Sequence, residues 1–106
     1  MRRLLIFAIA LVCIVDFSGC GTTFAPPSVT TELARTGSGQ PADIVVLREG
    51  RNLFVSRCIE CHTLPPFWHY RAEDWPHIVD TMAERAKLKR AERDAIVAYI
   101  FAARAQ

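Results

Sequence analysis

Residues 50–62, GRNLFVSRCIECH, decide the fold, because a helical pattern there leads into Cys58, Cys61 and His62. Small or apolar residues recur every three or four positions up to the first cysteine, which is the spacing of one face of a helix. They are Leu47, Gly50, Phe54 and Cys58. Asp43 stands just before this stripe, and a short acidic side chain suits the N-cap of a helix. We therefore expect a helix that starts at Asp43 and ends at the motif Cys58-x-x-Cys61-His62.

Beyond the motif, the pattern predicts a loop and a second helix. Pro65 and Pro66 lack backbone donors, so they force a loop after His62. The second helix is expected to begin near Asp74, with that side chain as the cap and Pro76 in the first turn. Its apolar stripe comprises Trp75, Ile78, Val79, Met82 and Ala86.

A third helix is expected at the C-terminal end. Residues 84–94 hold eight charged side chains, which interrupt the apolar stripe and indicate a break near residues 87–90. The stripe resumes at Ile96, Tyr99, Ile100 and Ala103. No stretch alternates apolar and polar residues as a strand does. The expected fold class is therefore all-α, with three to four helices.

The composition bounds the classes of function. The chain has 106 residues, with 13 Lys and Arg against 11 Asp and Glu, and a net charge of +2. This length leaves room for one small domain, which excludes a multidomain enzyme and a multi-span membrane protein. So small a net charge gives no reason to expect a nucleic-acid partner. The sequence shows no paired carboxylates, nucleophile with a base, or phosphate-binding loop, so we expect no catalytic residues and no enzyme activity.

The N-terminal segment has the features of a secretory signal peptide. Met1-Arg2-Arg3 gives a positive start, and Leu4 to Val15 is an unbroken apolar run of twelve residues. A membrane-spanning helix needs about 20 residues, whereas twelve suit the apolar region of a signal peptide. Residues 16–20, DFSGC, resemble a bacterial lipobox: a bulky apolar residue, two small ones, then a cysteine. The resemblance implies that residues 1–19 are removed and that Cys20 carries lipid. A plain signal peptide is the alternative.

The lipobox resemblance also implies a location. Lipid on Cys20 would hold the chain at the periplasmic side of a bacterial membrane, and Gly21 after it favours the outer membrane. Thirteen of the 22 residues at 21–42 are Gly, Pro, Ser or Thr, and no apolar period runs through them. We therefore expect residues 20–42 to form a flexible tether of roughly 25 Å. The folded domain, residues 43–106, is so small that it would need a covalent or metal staple.

The cysteines can be assigned by position. Cys13 leaves with the signal peptide and Cys20 takes lipid, so Cys58 and Cys61 are the pair left in the folded part. Cys-x-x-Cys-His is the attachment motif of c-type haem, because two intervening residues let both thiols reach the two vinyl groups on one porphyrin edge. The imidazole of His62 then comes under the iron. The alternatives are a thioredoxin-type dithiol, which needs a βαβ setting, and a structural zinc site, which needs four ligands.

The flanks of this motif resemble class I cytochromes c. A glycine and an aromatic residue four positions later precede the motif, as in the family's first helix, and residues 91–100, AERDAIVAYI, resemble its last helix. The resemblance covers about 60 residues. It implies one haem c per chain, bound covalently by Cys58 and Cys61 with His62 as an axial ligand of the iron. It also implies that the two helices cross closely, with Gly50 and Phe54 against residues of the last helix. Those are Ile96 and Tyr99. Lys89 stands where the family often has a Ser or Thr cap.

The sixth iron ligand stays open at this point. Met82 is the single methionine after the signal peptide, and the resemblance places a ligand methionine here. On the other hand, its stripe is also where a core methionine belongs. His69, seven residues past His62, is the rival, and an iron with no sixth side chain is a further alternative. His77, in a first helical turn, is expected to face solvent.

Other groups near the motif could hold the His62 ring or the haem in place. A backbone carbonyl of the loop could accept the proton on the second nitrogen of His62 and fix the ring. Four side chains could donate hydrogen bonds to the haem propionates, with ordinary packing or a solvated surface as the alternative. They are Trp68, Tyr70, Arg71 and Trp75.

The function expected from these features is electron transfer by a lipid-anchored periplasmic cytochrome. The redox partners expected are a respiratory complex, a terminal oxidase or reductase, or a periplasmic dehydrogenase, together with the membrane. The second hypothesis is a haem protein that binds or senses a small ligand such as CO, NO or O2 at an open sixth position. The third is a lipoprotein without haem, in which Cys58 and Cys61 form a dithiol.

Overall fold

The computed structural model describes residues 23–37 and 39–106, and this part of the chain is all-α, without strands. The expected fold class is therefore confirmed. Its four α-helices are α1 (Thr31–Thr36), α2 (Ile44–Arg57), α3 (Trp75–Ala86) and α4 (Arg90–Arg104). Short 3-10 turns cover Cys58–Glu60, Phe67–His69 and Ala72–Asp74. The expected signal peptide, Cys13 and the expected lipidation site at Cys20 lie outside the described residues.

The starts of α2 and α3 have different causes. The carboxylate of Asp43 accepts a hydrogen bond from the Val45 amide at 2.8 Å, so the predicted cap of α2 is confirmed. Asp74 precedes α3, but its side chain does not cap the helix. Its oxygens instead accept from the guanidinium of Arg71 at 3.0 and 3.1 Å. The helix starts there because Pro76 has a backbone angle already set for a first turn.

The predicted break between α3 and α4 is confirmed at Lys87. This residue has φ 53° and ψ 43°, the left-handed conformation that ends many helices. Helix α4 then begins at Arg90, and the carboxylate of Glu92 accepts from the Lys89 amide at 2.7 Å. A lysine side chain cannot accept the return hydrogen bond of a capping box. The cap therefore has only its glutamate half.

Helices α2 and α4 cross at Gly50. A Cβ at this position would collide with the carbonyl oxygen of Ala95 and lie 3.0 Å from the Cβ of Tyr99. The ring of Phe54 lies 6.3 Å from that of Tyr99. The predicted contacts of Gly50 and Phe54 with Tyr99 are thus confirmed. At Gly50, the second residue of α4 that comes close is Ala95 and not the predicted Ile96.

The core is built around a side chain from the loop. The ring of Phe67 is 3% exposed and packs against the rings of three fully buried residues. These are Phe54, Trp75 and Tyr99, each 0% exposed. Trp75 also donates its indole N–H to the Phe67 carbonyl at 3.1 Å. The loop after Pro66 is therefore held to the α2–α4 pair by packing and to α3 by a hydrogen bond.

The segment before α2 does not behave as the expected tether. We call residues 24–36 the strap, because they lie along the domain. The Phe24 ring packs edge-on against Phe67 with centroids 4.9 Å apart. The Tyr99 hydroxyl donates to the Pro27 carbonyl at 2.6 Å, and Arg51 donates to the same oxygen at 2.9 Å. The prediction of a flexible tether over residues 20–42 is wrong for this part of the chain.

Helix α1 completes the strap. The hydroxyl of Thr30 accepts from the Leu33 amide and caps the helix. Leu33 and Ala34 are buried, at 3% and 6% exposure. The physical reason for the failed prediction is that a few apolar side chains and two proline carbonyls anchor this segment, whereas composition counts only its many small residues. In the described part of the chain, no helix has the length and apolar character needed to cross a bilayer.

Candidate functional site

An apolar cavity lies where the end of α2, the middle of α3 and the start of α4 meet. It has a volume of about 120 Å³ and is partly open to solvent. Four chemically active side chains line it: Cys58, Cys61, His62 and Met82. The apolar part of the wall includes Val79 and Ile96, and both are buried. The structure thus brings the predicted motif and the predicted sixth ligand to one cavity.

The two thiols sit at the end of α2. Cys58 is half-buried in a 3-10 turn, Cys61 is exposed, and both are free cysteines. Burial, and to a smaller extent the neighbouring Cys61, raises the pKa of the Cys58 thiol. Reactive dithiols need a lowered pKa, which a helix N-terminus supplies. Cys58 follows a helix C-terminus, so its surroundings disfavour a thioredoxin-type role.

His62 is exposed beside the cavity, and its ring is held by the loop. Its Nδ1 lies 2.7 Å from the carbonyl oxygen of Thr63. When Nδ1 carries the proton and donates to this oxygen, Nε2 keeps its lone pair for a metal. This is the loop carbonyl that the sequence analysis expected, and it belongs to the next residue in the chain.

Of the side chains weighed as a sixth ligand, Met82 is the one that lines the cavity. It is half-buried on α3, one turn after Val79. The ring of His69 lies elsewhere, packed against that of Tyr70 with centroids 4.7 Å apart. His77 is exposed. Because Met82 lines the same cavity as the motif and His69 does not, the structure favours Met82 over His69.

The residues weighed as propionate donors lie away from the cavity. Trp75 is fully buried on Phe67, and Arg71 pairs with Glu73 and Asp74. Trp68 is 76% exposed, and Tyr70 packs on Trp75. Among the described residues that line the cavity, none of these four appears.

Two arginines that the sequence analysis did not mark do line the cavity, Arg57 and Arg85. Arg57 donates to the Ala86 carbonyl at 2.8 Å and so links the end of α2 to the end of α3. Its Nε is buried without a hydrogen-bond partner among the described residues, and the carboxylate of Glu60 lies 3.7 Å away. Both arginines could have been predicted from the sequence as neighbours of the cavity, because Arg57 directly precedes Cys58 and Arg85 is one helical turn after Met82.

The donor set of the cavity fits a c-type haem. Two thiols and an imidazole come from the end of α2 and the following turn, a thioether comes from α3, and the wall between them is apolar. The cavity is smaller than a porphyrin ring, so the turn that carries the exposed Cys61 and His62 would have to move outward to receive one. In the residues at 23–37 and 39–106, no three His, Cys, Asp or Glu side chains cluster as a metal site, which gives no support to zinc.

Comparison with known proteins adds no relative to this description. No family model matches the chain, and neither a curated protein nor a solved structure shows a significant match to it.

Proposed function

We propose that this protein is a lipid-anchored electron carrier that holds one haem c. The observation that supports the proposal is that Cys58, Cys61, His62 and Met82 line one apolar cavity. Two thiols, an imidazole and a thioether are the donors that a cytochrome c with His and Met axial ligands requires. The haem, when bound, supplies one-electron redox chemistry.

Each side chain has a separate role in this proposal. Cys58 and Cys61 would hold the haem covalently through their sulfur atoms. His62 ligates the iron through Nε2 while the Thr63 carbonyl fixes its ring. Met82 would supply a thioether ligand from α3, and a methionine ligand gives the iron a raised reduction potential.

The cavity wall contributes by excluding water and competing ligands. Val79 and Ile96 are at most 2% exposed and form its buried side. When protein side chains fill both axial positions, the iron has no place for a substrate, which suits an electron carrier better than an enzyme. The partners proposed are a respiratory complex, a terminal oxidase or reductase, or a periplasmic dehydrogenase. Lipid on Cys20 would hold the protein at the membrane where these partners work.

The first test asks whether the protein carries covalently bound haem. The full-length chain is expressed with a haem-attachment system, and a denaturing gel is stained for haem. We expect a stained band for the natural chain and none for Cys58→Ala/Cys61→Ala. A colourless natural chain, with a mass explained by polypeptide and acyl groups alone, would reject the proposal in favour of the dithiol hypothesis.

The sixth ligand is tested on the same material. The oxidised natural protein should show a sulfur-to-iron charge-transfer band, and Met82→Leu should lose it while keeping a side chain of similar volume. His69→Gln is the matched control and should keep the band. CO should not bind the reduced natural protein at neutral pH. Fast and complete CO binding would instead establish the ligand-binding or sensor function.

A further inference from the structure

One end of the molecule gathers three aromatic side chains and one basic side chain around the start of the strap, two of them exposed and two half-buried. We call it the aromatic end, and it consists of Phe24, Trp68, Tyr70 and Arg104. Trp68 is 76% exposed and its ring meets that of Phe24 edge-on, with centroids 5.5 Å apart. Tyr70 is 39% exposed. Arg104 donates to the Tyr70 carbonyl at 2.8 Å and also to the Phe67 carbonyl.

The aromatic end and the cavity lie at opposite ends of α4. Ile96, in the first half of the helix, lines the cavity, and Leu88 just before the helix does so too. Arg104, the last residue of the helix, borders a groove shared with Phe24 and Trp68. A helix rises 1.5 Å per residue, so Ile96 and Arg104 are about 12 Å apart along the axis.

The strap brings the expected lipid close to the aromatic end. Cys20 precedes Phe24 by four residues, and four residues span at most about 14 Å even when fully extended. Phe24 is fixed by its contact with Phe67, and the strap behind it by the Pro27 carbonyl. A lipid on Cys20 therefore cannot be far from Trp68.

We propose that the aromatic end rests on the lipid surface and that the cavity consequently faces away from the membrane. This proposal rests on the lipid anchor of the proposed function. Trp and Tyr favour the headgroup layer, because their rings are apolar and carry a polar edge. The cation of Arg104 suits anionic headgroups. The membrane surface is thus the occupant of this face, and the strap sets the orientation.

The consequence for electron transfer is a fixed direction of approach. A flexible tether would let the domain turn and present the cavity to membrane-embedded partners and soluble partners alike. A strapped domain instead presents the Cys58 and Cys61 edge to the aqueous side. The partner that the orientation favours is a soluble protein, or the part of a membrane complex that projects well above the bilayer.

The lysines of the chain allow a direct test. Lys87 and Lys89 are its only two lysines, and both are exposed at the turn between α3 and α4. Gln106 is exposed and borders the groove at the aromatic end. The variant Lys87→Arg/Lys89→Arg/Gln106→Lys moves the amine from one end of α4 to the other. The acylated natural chain and the acylated variant are each labelled with a membrane-impermeant amine reagent, once in detergent and once on preformed phosphatidylethanolamine–phosphatidylglycerol vesicles. Mass spectrometry of the digested protein gives the labelling rate at each amine.

We expect vesicles to slow labelling of the amine at position 106 of this variant severalfold. In the natural chain, vesicles should leave the labelling rates of Lys87 and Lys89 unchanged. A Gly-Ser spacer of about ten residues between Thr22 and Thr23 should remove the protection, because the lipid could then lie some 30 Å farther away. Trp68→Ser should weaken it, and Trp68→Phe should weaken it less.

The results that overturn the proposal are distinct from those that overturn the proposed function. If vesicles change the labelling rate by the same factor at both ends, for an acylated chain bound to vesicles, the orientation alone is rejected. Protection that appears in native membranes but not on vesicles would assign the aromatic end to a protein partner and reject the lipid surface. A chain without acyl mass would reject the anchor and the orientation together, whether or not it carries haem.

Discussion

The hydroxyl of Tyr99 donates a hydrogen bond to the carbonyl oxygen of Pro27, 72 residues earlier in the chain, at 2.6 Å. Tyr99 lies on α4 with 0% of its surface exposed, where it also forms part of the crossing with α2. One side chain therefore joins the strap to the central helix pair. Arg51 on α2 donates to the same carbonyl oxygen and reinforces the link.

Removing this hydroxyl should loosen the strap without opening the core. We expect Tyr99→Phe to lower the free energy of unfolding by about 1 kcal/mol, the usual net contribution of one hydrogen bond, with a faster proteolytic cut near residues 23–30. Urea unfolding and limited thermolysin digestion measure the two effects. Tyr70→Phe, at a partly exposed ring, is the matched control and should change neither. An unchanged stability and cutting rate in Tyr99→Phe would show that packing alone holds the strap.

The same tyrosine predicts a loss of stability at high pH. Burial raises the pKa of Tyr99 to about 12, from an ordinary value of 10.0. Because the folded-state pKa is the higher one, the neutral phenol stabilises the fold fully below pH 10, and this contribution is lost as the pH rises from about 10 to 12. The free energy of unfolding should fall across that window. In Tyr99→Phe the fall should be smaller, and an equal fall in both proteins would contradict the assignment to Tyr99.

The crossing of α2 and α4 predicts an effect of Gly50→Ala whose sign is informative. Alanine favours a helix over glycine by about 0.5–1 kcal/mol, so the substitution would stabilise an unconstrained helix. Here the new Cβ collides with the Ala95 carbonyl. We expect a net destabilisation of about 1–3 kcal/mol, the typical cost of overpacking. Chemical denaturation measures it, with Asn52→Ala on the exposed side of α2 as the control. A stabilised Gly50→Ala protein would contradict the close crossing.

The left-handed Lys87 predicts a stabilising substitution. A residue with a Cβ is disfavoured by roughly 1–2 kcal/mol in this conformation, whereas glycine adopts it readily. After its greater loss of backbone entropy, we expect Lys87→Gly to raise the free energy of unfolding by about 0.5–1 kcal/mol. Lys89, at φ −71°, is the matched position, and Lys89→Gly should give no gain. Thermal unfolding of the two variants decides whether the turn is strained.

Much of the helical framework could be predicted from local signals. Asp43, Pro76 and the charged run before Arg90 mark three helix starts, and each stripe of apolar residues reports one buried face. The grouping of Met82 with the motif was implied by the resemblance, and the periodicity agrees with it, since Val79 and Met82 of the same stripe both line the cavity. These features depend on residues only a few positions apart, so local sequence patterns are enough to predict them.

The strap and the loop could not be predicted in this way. The strap is held by backbone carbonyls of Pro26 and Pro27 and by the ring of Phe24, and their partners lie 24 to 72 residues later. Phe67 has no helical period around it, although four aromatic rings meet it. Contacts of this kind depend on tertiary packing and leave no repeating pattern along the chain.

The hydrogen bond from Arg57 to the Ala86 carbonyl joins the end of α2 to the end of α3 at the wall of the cavity, since both residues line it. On the proposed function we expect the haem to be joined to the thiols before this hydrogen bond forms, because the cavity is smaller than a porphyrin ring. Attachment of the haem would then come first, and the hydrogen bond between Arg57 and Ala86 would form second. A chain in which this hydrogen bond forms first would then stay without haem.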